Sequence, residues 1–189
     1  MEQYSDQAFD KNSFEGKSFP KGEFENCNFK NLDLSEGDLS GCIFSECEFY
    51  SCNLSLVKLG KTAFRDVKFS DCKLLGLQFS QCNQFGLSFR FENCTLNHSS
   101  FFQAKIRETV FKNCQLHEAD FTEADLTGST FDQSDLTSAA FDHTLLEKCD
   151  FRTAVHYSID PENNRIKKAK FSLPAVTGLL HKYDIRIEG

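Results

Sequence analysis

A large apolar residue returns at every fifth position along most of this 189-residue chain, an interval that neither an α-helix nor a flat strand can satisfy. The series runs Phe9, Phe14, Phe19, Phe24, Phe29, Leu34, Leu39, Phe44, Phe49, Leu54, Leu59, Phe64, Phe69, Leu74 and Phe79, breaks at Gln84 and resumes at Phe89. The frame then slips by two residues and restarts at Phe91. It continues through Leu96, Phe101, Ile106, Phe111, Leu116, Phe121, Leu126, Phe131, Leu136, Phe141, Leu146 and Phe151. His156 and Pro161 are weak members, and Ile166 and Phe171 fall on the same count. Such a period requires a backbone that turns one corner per five residues, which is a solenoid.

A second position keeps the same count. All nine cysteines (Cys27, Cys42, Cys47, Cys52, Cys72, Cys82, Cys94, Cys114 and Cys149) stand two residues before a central position, a slot held elsewhere by small residues such as Ala104, Ala119, Ala124, Ser129 and Ser134. One large and one small side chain per repeat therefore point inward. From Phe91 to Phe151 the centres alternate Phe with Leu or Ile, which implies an even number of sides per turn.

Several kinds of chemistry are missing. The cysteines form no Cys-x-x-Cys pair and recur at spacings of five and twenty in the small inward slot, so they read as packing rather than metal ligands or disulfides. The five histidines have no ligand spacing, and neither a phosphate-binding glycine loop nor a nucleophile motif occurs. The expectation is a protein that is not an enzyme, without cofactor or metal. A formal charge of −7 argues against direct nucleic-acid binding. No apolar run approaches the ~18 residues that span a bilayer. Met1–Asp6 show neither a basic patch nor an apolar stretch, so a cytoplasmic location with reduced thiols is expected.

The units Ala119-Asp120-Phe121-Thr122-Glu123 and Ala124-Asp125-Leu126-Thr127-Gly128 resemble the Ala-Asp/Asn-Leu-x-x repeat of the pentapeptide-repeat proteins, a match that extends over roughly residues 4 to 171. The resemblance implies an all-β fold: a right-handed quadrilateral β-helix with four repeats, about twenty residues, per coil. The chain then divides into a β-helix over residues 1–171, with its register slip near 84–91, and a C-terminal module over 172–189. Between seven and eight coils at ~4.8 Å each give a rod roughly 35–40 Å long.

Two features fall outside the repeat. Around Gln84-Phe85-Gly86-Leu87-Ser88-Phe89-Arg90-Phe91, two extra residues must bulge, with Gly86 suited to the unusual dihedrals. The bulge is either a tolerated insertion or a hinge or partner contact. Phe102 follows a centre directly and is expected to point outward. Past Phe151 the pattern loosens. Ser172-Leu173-Pro174 reads as a helix start with Ser172 as N-cap; Leu173, Val176, Leu179, Leu180 and Tyr183 follow at helical spacing, and Ile185 and Ile187 alternate as in a short strand. This apolar set either caps the open end of the solenoid or packs on a second copy in a twofold dimer.

The tail Leu179-Leu180-His181-Lys182-Tyr183-Asp184-Ile185-Arg186-Ile187-Glu188-Gly189 and the mid-rod Phe85-Gly86-Leu87-Ser88-Phe89 resemble the quinolone-resistance subgroup, the Qnr-like proteins. That resemblance implies dimerisation through the C-terminal module. It also implies that an acidic rod occupies the DNA-binding saddle of DNA gyrase or topoisomerase IV as a mimic of the duplex, with protection from fluoroquinolones as an outcome. The longer projecting loops of the Gram-negative members are missing here. The charge pattern offers a matching surface: Glu108, Glu118, Asp120, Glu123, Asp125, Asp132, Asp135, Asp142, Glu147 and Asp150 are opposed in their segment only by Lys112 and Lys148, giving −8 against +1 for the remainder. A twenty-residue coil would stack Arg152 over Asp132, Lys167 over Glu147 and Lys170 over Asp150, blunting that field. Asp120, Asp125, Asp135 and Asp150 also sit where the repeat itself favours Asp or Asn. The alternative is a general protein-interaction scaffold with another partner.

Overall fold

The computed structural model describes residues 1–14 and 19–188. The chain is the expected right-handed quadrilateral β-helix. Its strands pair in parallel with an offset of twenty residues, as in Phe24↔Phe44, Phe49↔Phe69 and Phe111↔Phe131. Four faces follow in chain order. Face I stacks Phe9, Phe29, Phe49, Phe69, Phe91, Phe111, Phe131, Phe151 and Phe171, with ring centroids 4.5–5.4 Å apart. Face II carries Leu34, Leu54, Leu74, Leu96, Leu116 and Leu136; face III runs Phe19, Leu39, Leu59, Phe79, Phe101, Phe121 and Phe141; face IV runs Tyr4, Phe24, Phe44, Phe64, Leu87, Ile106, Leu126 and Leu146.

Each corner has the same cause. On faces II and III the carbonyl of the central residue accepts a hydrogen bond from the N–H three residues on, as in Cys42 to Leu39 (3.0 Å) and Ala104 to Phe101 (2.9 Å). The residue two after the centre adopts positive φ, between 50° and 62° at 22 non-glycine positions among the described residues. Left-handed backbone costs an ordinary residue roughly 1–2 kcal/mol. The cost is offset because that residue's N–H then bonds to the next coil, as in Asn31 to Tyr50 (3.0 Å) and His98 to His117 (2.9 Å).

The small slot does more than fit. Where it carries a hydroxyl or thiol, its side chain donates to the carbonyl of the central residue one coil below: Thr62 to Leu39 (2.8 Å), Ser134 to Phe111 (3.1 Å), Thr144 to Phe121 (2.9 Å) and Cys149 to Leu126 (2.9 Å). All nine cysteines are buried and unbridged, as the spacing predicts. Burial pushes the Cys82 and Cys149 thiols up to about 12, which makes them inert.

The register slip has a packing reason. Below it, the two phenylalanine columns lie on the adjacent faces IV and I, with Phe24 and Phe29 edge-to-face at 5.5 Å. Above it they lie on the opposite faces I and III, with Phe79, Phe101, Phe121 and Phe141 stacked at 4.7–5.1 Å. Phe89 joins the two arrangements. It is not a centre, as its place in the count suggests, but fills the slot two residues before Phe91, paired with Val67. Its ring lies 5.5 Å from Phe64, 5.1 Å from Phe79 and 5.4 Å from Phe91. Leu87 takes the inward place on face IV, so Gln84, Phe85 and Gly86 are extruded.

The C-terminal end departs from expectation in two places. The interior of the last coil is filled by Tyr157 and Ile159, both buried, instead of His156 and Pro161. The expected helix and strand over 172–188 are absent: the segment forms two 3₁₀ turns, Val176–Leu179 and His181–Tyr183, and no strand is present there among the described residues. Ser172 caps nothing, because the first turn begins after Ala175 without a side-chain cap. An isolated strand lacks a pairing edge, and Thr177 and Gly178 are poor helix formers. Gly178 is instead pressed against the last coil, where its carbonyl accepts from Ile159 N–H at 2.9 Å and a Cβ would come within 2.4 Å of the Tyr157 carbonyl. Lys182 ties the tail to Asp160 (2.7 Å) and Glu162 (2.6 Å).

If Phe89 joins the two aromatic arrangements, Phe89→Ala leaves a cavity that Phe64, Phe79 and Phe91 cannot close. Urea denaturation should report a loss of about 3–5 kcal/mol. Phe102→Ala, at an outward position, should change stability by less than about 0.5 kcal/mol.

Candidate acidic surface and C-terminal module

The ten carboxylates of residues 108–150 do not share one face. Asp132 and Asp150 flank the centres of face I and Asp135 those of face II. Asp120 and Asp142 flank face III, with Glu118 and Glu123 at its two edges, while Asp125, Glu147 and Glu108 belong to face IV and its edge. The acids therefore wrap the rod.

Their partners divide them sharply. Arg107 Nε lies 2.6 Å from Asp125, whose carboxyl is held below the usual range: partial burial pushes it up, but hydrogen bonds from Thr127 and Arg107 outweigh that. Asp150 is held by Arg152 at 2.7 Å and Lys170 at 3.9 Å. Of the three ion pairs expected from stacking, only Lys170 with Asp150 forms, because Arg152 folds back onto Asp150 in its own coil and Asp132 accepts instead from the Thr153 hydroxyl at 2.8 Å. Among the described residues, the other eight acids have no Lys or Arg within 4.0 Å. On face III, Asp142 has only His143 beside it (3.1 Å), Glu118 only His98 (3.3 Å), and Glu123 accepts from the Gln103 amide (2.8 Å).

Face II contains a clamp that the sequence reading missed. Asp135 accepts from the Thr137 hydroxyl (2.7 Å), while His117 Nε2 and His156 Nδ1 each lie 3.0 Å from it. The signal was present, since His117 stands one coil below Thr137 and His156 one coil above Leu136, but equivalence across coils becomes useful only once the twenty-residue register is known. Among the described residues, no group of three or more His, Cys, Asp or Glu side chains is placed to hold a metal ion, this clamp included.

The residues expected at a dimer interface split in two. Leu173, Tyr183, Ile185 and Ile187 are exposed, Leu173 by 86%. Val176, Leu179 and Leu180 are half-buried, with Leu179 against the core of the last coil. The segment is thus both a cover for the rod's end and the bearer of an apolar surface. Gly189 lies outside the described residues.

Partial burial pushes the Asp135 carboxyl up, but Thr137, His156 and His117 outweigh this and hold it well below the usual aspartate range. A depressed carboxylate stabilises the fold above its unfolded value near 3.9 and loses that contribution as pH falls toward the lower folded value. Asp135→Asn should therefore cost about 1–2 kcal/mol at pH 7, with the difference from wild type shrinking below about pH 4 in urea titrations.

The model of the pentapeptide repeat region matches residues 22–90 and 87–153. No curated protein sequence matches significantly. Among solved structures, a trypsin-treated variant of QnrB1, a plasmid-mediated fluoroquinolone resistance protein, superposes with a TM-score of 0.59 at 20% identity, covering 99% of both chains. Full-length QnrB1 gives 0.52 at 20% identity over 97% of each chain. HetL, involved in heterocyst differentiation regulation in the cyanobacterium Nostoc sp. strain PCC 7120, gives 0.50 at 17% identity, over 89% of this chain and 84% of its own. At these identities the likeness is one of fold. The repeat match spans well over half of the sequence, and the chain belongs to the pentapeptide-repeat family.

Proposed function

We propose that this protein is a non-enzymatic, cytoplasmic mimic of duplex DNA that binds DNA gyrase or topoisomerase IV, acts as a dimer through its C-terminal module, and protects the enzyme from fluoroquinolones. The observation that carries this reading is charge density. Residues 108–150 wind through about two coils, roughly 10 Å of axis at ~4.8 Å per coil, and carry −8. That is about one charge per 1.3 Å, against about one per 1.7 Å in duplex DNA. The acids surround the rod, as phosphates surround a duplex, and eight of the ten have no Lys or Arg partner among the described residues. A basic groove shaped for DNA is the complementary surface.

The likeness to QnrB1 extends over the whole rod and supports the choice of target. The exposed Leu173, Tyr183, Ile185 and Ile187 support a twofold contact at the end of the rod.

In a gyrase supercoiling assay with and without fluoroquinolone, micromolar wild-type protein should alter supercoiling or drug inhibition, less so as salt rises. Glu118→Gln/Glu123→Gln/Asp142→Asn should weaken the effect at least tenfold with its melting temperature unchanged. No effect of the wild type at any salt would end this reading. Ile185→Asp/Ile187→Asp should halve the mass measured by analytical ultracentrifugation.

A further inference from the structure

The counter-charges of the acidic segment are of two kinds, and they sort by face. Its Lys and Arg partners lie on faces IV and I: Arg107 on Asp125 at 2.6 Å, and Arg152 and Lys170 on Asp150 at 2.7 and 3.9 Å. On faces II and III the partners are histidines. His98 Nδ1 lies 3.3 Å from Glu118 and His143 Nδ1 3.1 Å from Asp142, while His117 Nε2 and His156 Nδ1 each lie 3.0 Å from Asp135. Four of the chain's five histidines thus stand against carboxylates of this segment. The fifth, His181 in the tail, has no carboxylate within 4.0 Å among the described residues. The fold does not ask for imidazole at the two exposed sites. The column of His98 carries Leu56, Gly76, Glu118 and Ser138 in other coils, and that of His143 carries Lys61, Gln103 and Glu123. Exposed ion pairs also add little to stability.

The groups around the four rings leave histidine as the one variable charge. Gly76 lies beneath His98 and Glu118 above it, with Asp120 two residues further along the upper coil. His117 has Asn97 beneath it and Glu118 beside it, and shares Asp135 with His156 and the Thr137 hydroxyl. Gln115 lies beneath Asp135 and Val155 above it, while Arg152, in the coil of His156, is turned to Asp150. His143 has Glu123 beneath it and Asn163 above; Glu162, above Asp142, is tied to Lys182 at 2.6 Å, and Arg165 pairs with Leu145 across the corner. No Lys or Arg comes within 4.0 Å of Glu118, Asp135 or Asp142 among the described residues. Lysine, arginine and ionised carboxylates keep their charge between about pH 5 and 8, whereas histidine is the side chain that changes its own there. Asp135, held well below the usual aspartate range, stays ionised throughout that interval.

We propose that His98, His117, His143 and His156 form a proton-operated cover over faces II and III, which together present the recognition surface to a basic protein partner. Protonated, the rings place positive charge on Glu118, Asp135 and Asp142 and close those faces to the partner. Neutral, they leave the carboxylates uncompensated and open them. Protons and the partner then compete for the same carboxylates, so that binding expels protons and acidification expels the partner. The magnitude is sufficient. Two of the four rings come from just outside residues 108–150 but lie on its carboxylates, and four imidazolium charges halve the −8 of that stretch. The density falls to about one charge per 2.5 Å of axis, sparser than duplex DNA at about one per 1.7 Å. This rests on the acidic surface of the proposed function and adds its regulation.

The test uses the full chain and poly-L-lysine at constant ionic strength, a probe whose ammonium groups stay charged between about pH 6 and 8. Wild type is compared with His98→Gln/His143→Gln, which removes the two exposed rings, and with His181→Gln as the control outside the acidic surface. Wild-type binding should tighten about tenfold or more from about pH 6 to about pH 8, and only about threefold in the double variant. His181→Gln should follow wild type, and all three proteins should melt at the same temperature. Calorimetry of wild type near pH 6.5, in buffers of different ionisation enthalpy, should report net proton release on binding. Equal wild-type affinity at the two pH values, the full wild-type change in the double variant, or binding without proton release would each overturn the inference. So would a failure to bind poly-L-lysine at either pH. DNA gyrase, used as a second probe, separates this from the proposed function. Wild type that shows the expected pH dependence with poly-L-lysine but binds gyrase at neither pH would remove the proposed target and leave the proton-operated cover standing.

Discussion

Everything in this rod depends on each coil's being a template for the next. The N–H groups of one coil meet carbonyls of its neighbours at a strand register of twenty residues, widened to twenty-two across the slip, and side chains of the same kind meet across the same gap. Backbone pairing alone would tolerate a slip in register. The interior does not, because rings stack on rings along the columns and, where the slot holds a hydroxyl or thiol, it reaches the carbonyl one coil below. The small slot is therefore an ordering device. Ala104, Ala119 and Ala124, and even Leu32 and Leu77, fill the same slot by packing alone, and cysteine, serine and threonine add a hydrogen bond to that packing.

The single departure from this regularity follows from the same constraint. Two phenylalanine columns cannot move from adjacent to opposite faces without a coil that belongs to both arrangements. Phe89 provides it by occupying a slot filled by Val67 below and Thr109 above, in contact with Phe64 on one side and Phe79 on the other. The residues displaced by that solution, Gln84 to Gly86, have nowhere to go but outward. The exposed loop is thus a consequence of core geometry, and evolution was free to give its tip any side chain.

The fold was legible in the sequence because its cause is local and repeated. The interval between Phe91 and Phe151 specifies the corner, and the cysteine slot specifies which second residue faces inward. Legibility failed where one residue's role depends on a neighbouring coil. Phe89 falls on the five-residue count and so reads as a centre, and only its contact with Phe64, twenty-five positions earlier, reveals otherwise. Arg152 could be placed over Asp132 by counting, but an arginine stem long enough to reach its own coil's Asp150 chooses the nearer carboxylate. The C-terminal segment failed for another reason. Its apolar spacing suits a helix, yet Gly178 is needed flat against Tyr157, and that contact, together with Lys182 on Asp160 and Glu162, sets the path of the chain in place of helix propensity.

The acids are where structural and functional demands can be separated. Asp120, Asp125, Asp135 and Asp150 each accept the backbone N–H two residues on, at 2.9–3.1 Å, as Asp33 and Asp38 do near the other end of the rod. These carboxylates hold corners, an Asx-turn role that an asparagine can fill, as Asn53 does. Their presence says little about a partner. Glu118, Glu123, Asp142 and Glu147 hold no corner. They stand one or two positions past a centre, where other coils carry Ser, Thr, Gln or Lys without cost to the fold. Negative charge at these positions adds self-repulsion along a narrow rod and gains no turn geometry in return. Three of the four border face III, which also bears the exposed Phe102. Charge that the fold does not use is therefore where a partner, rather than the turn geometry, accounts for the choice of residue.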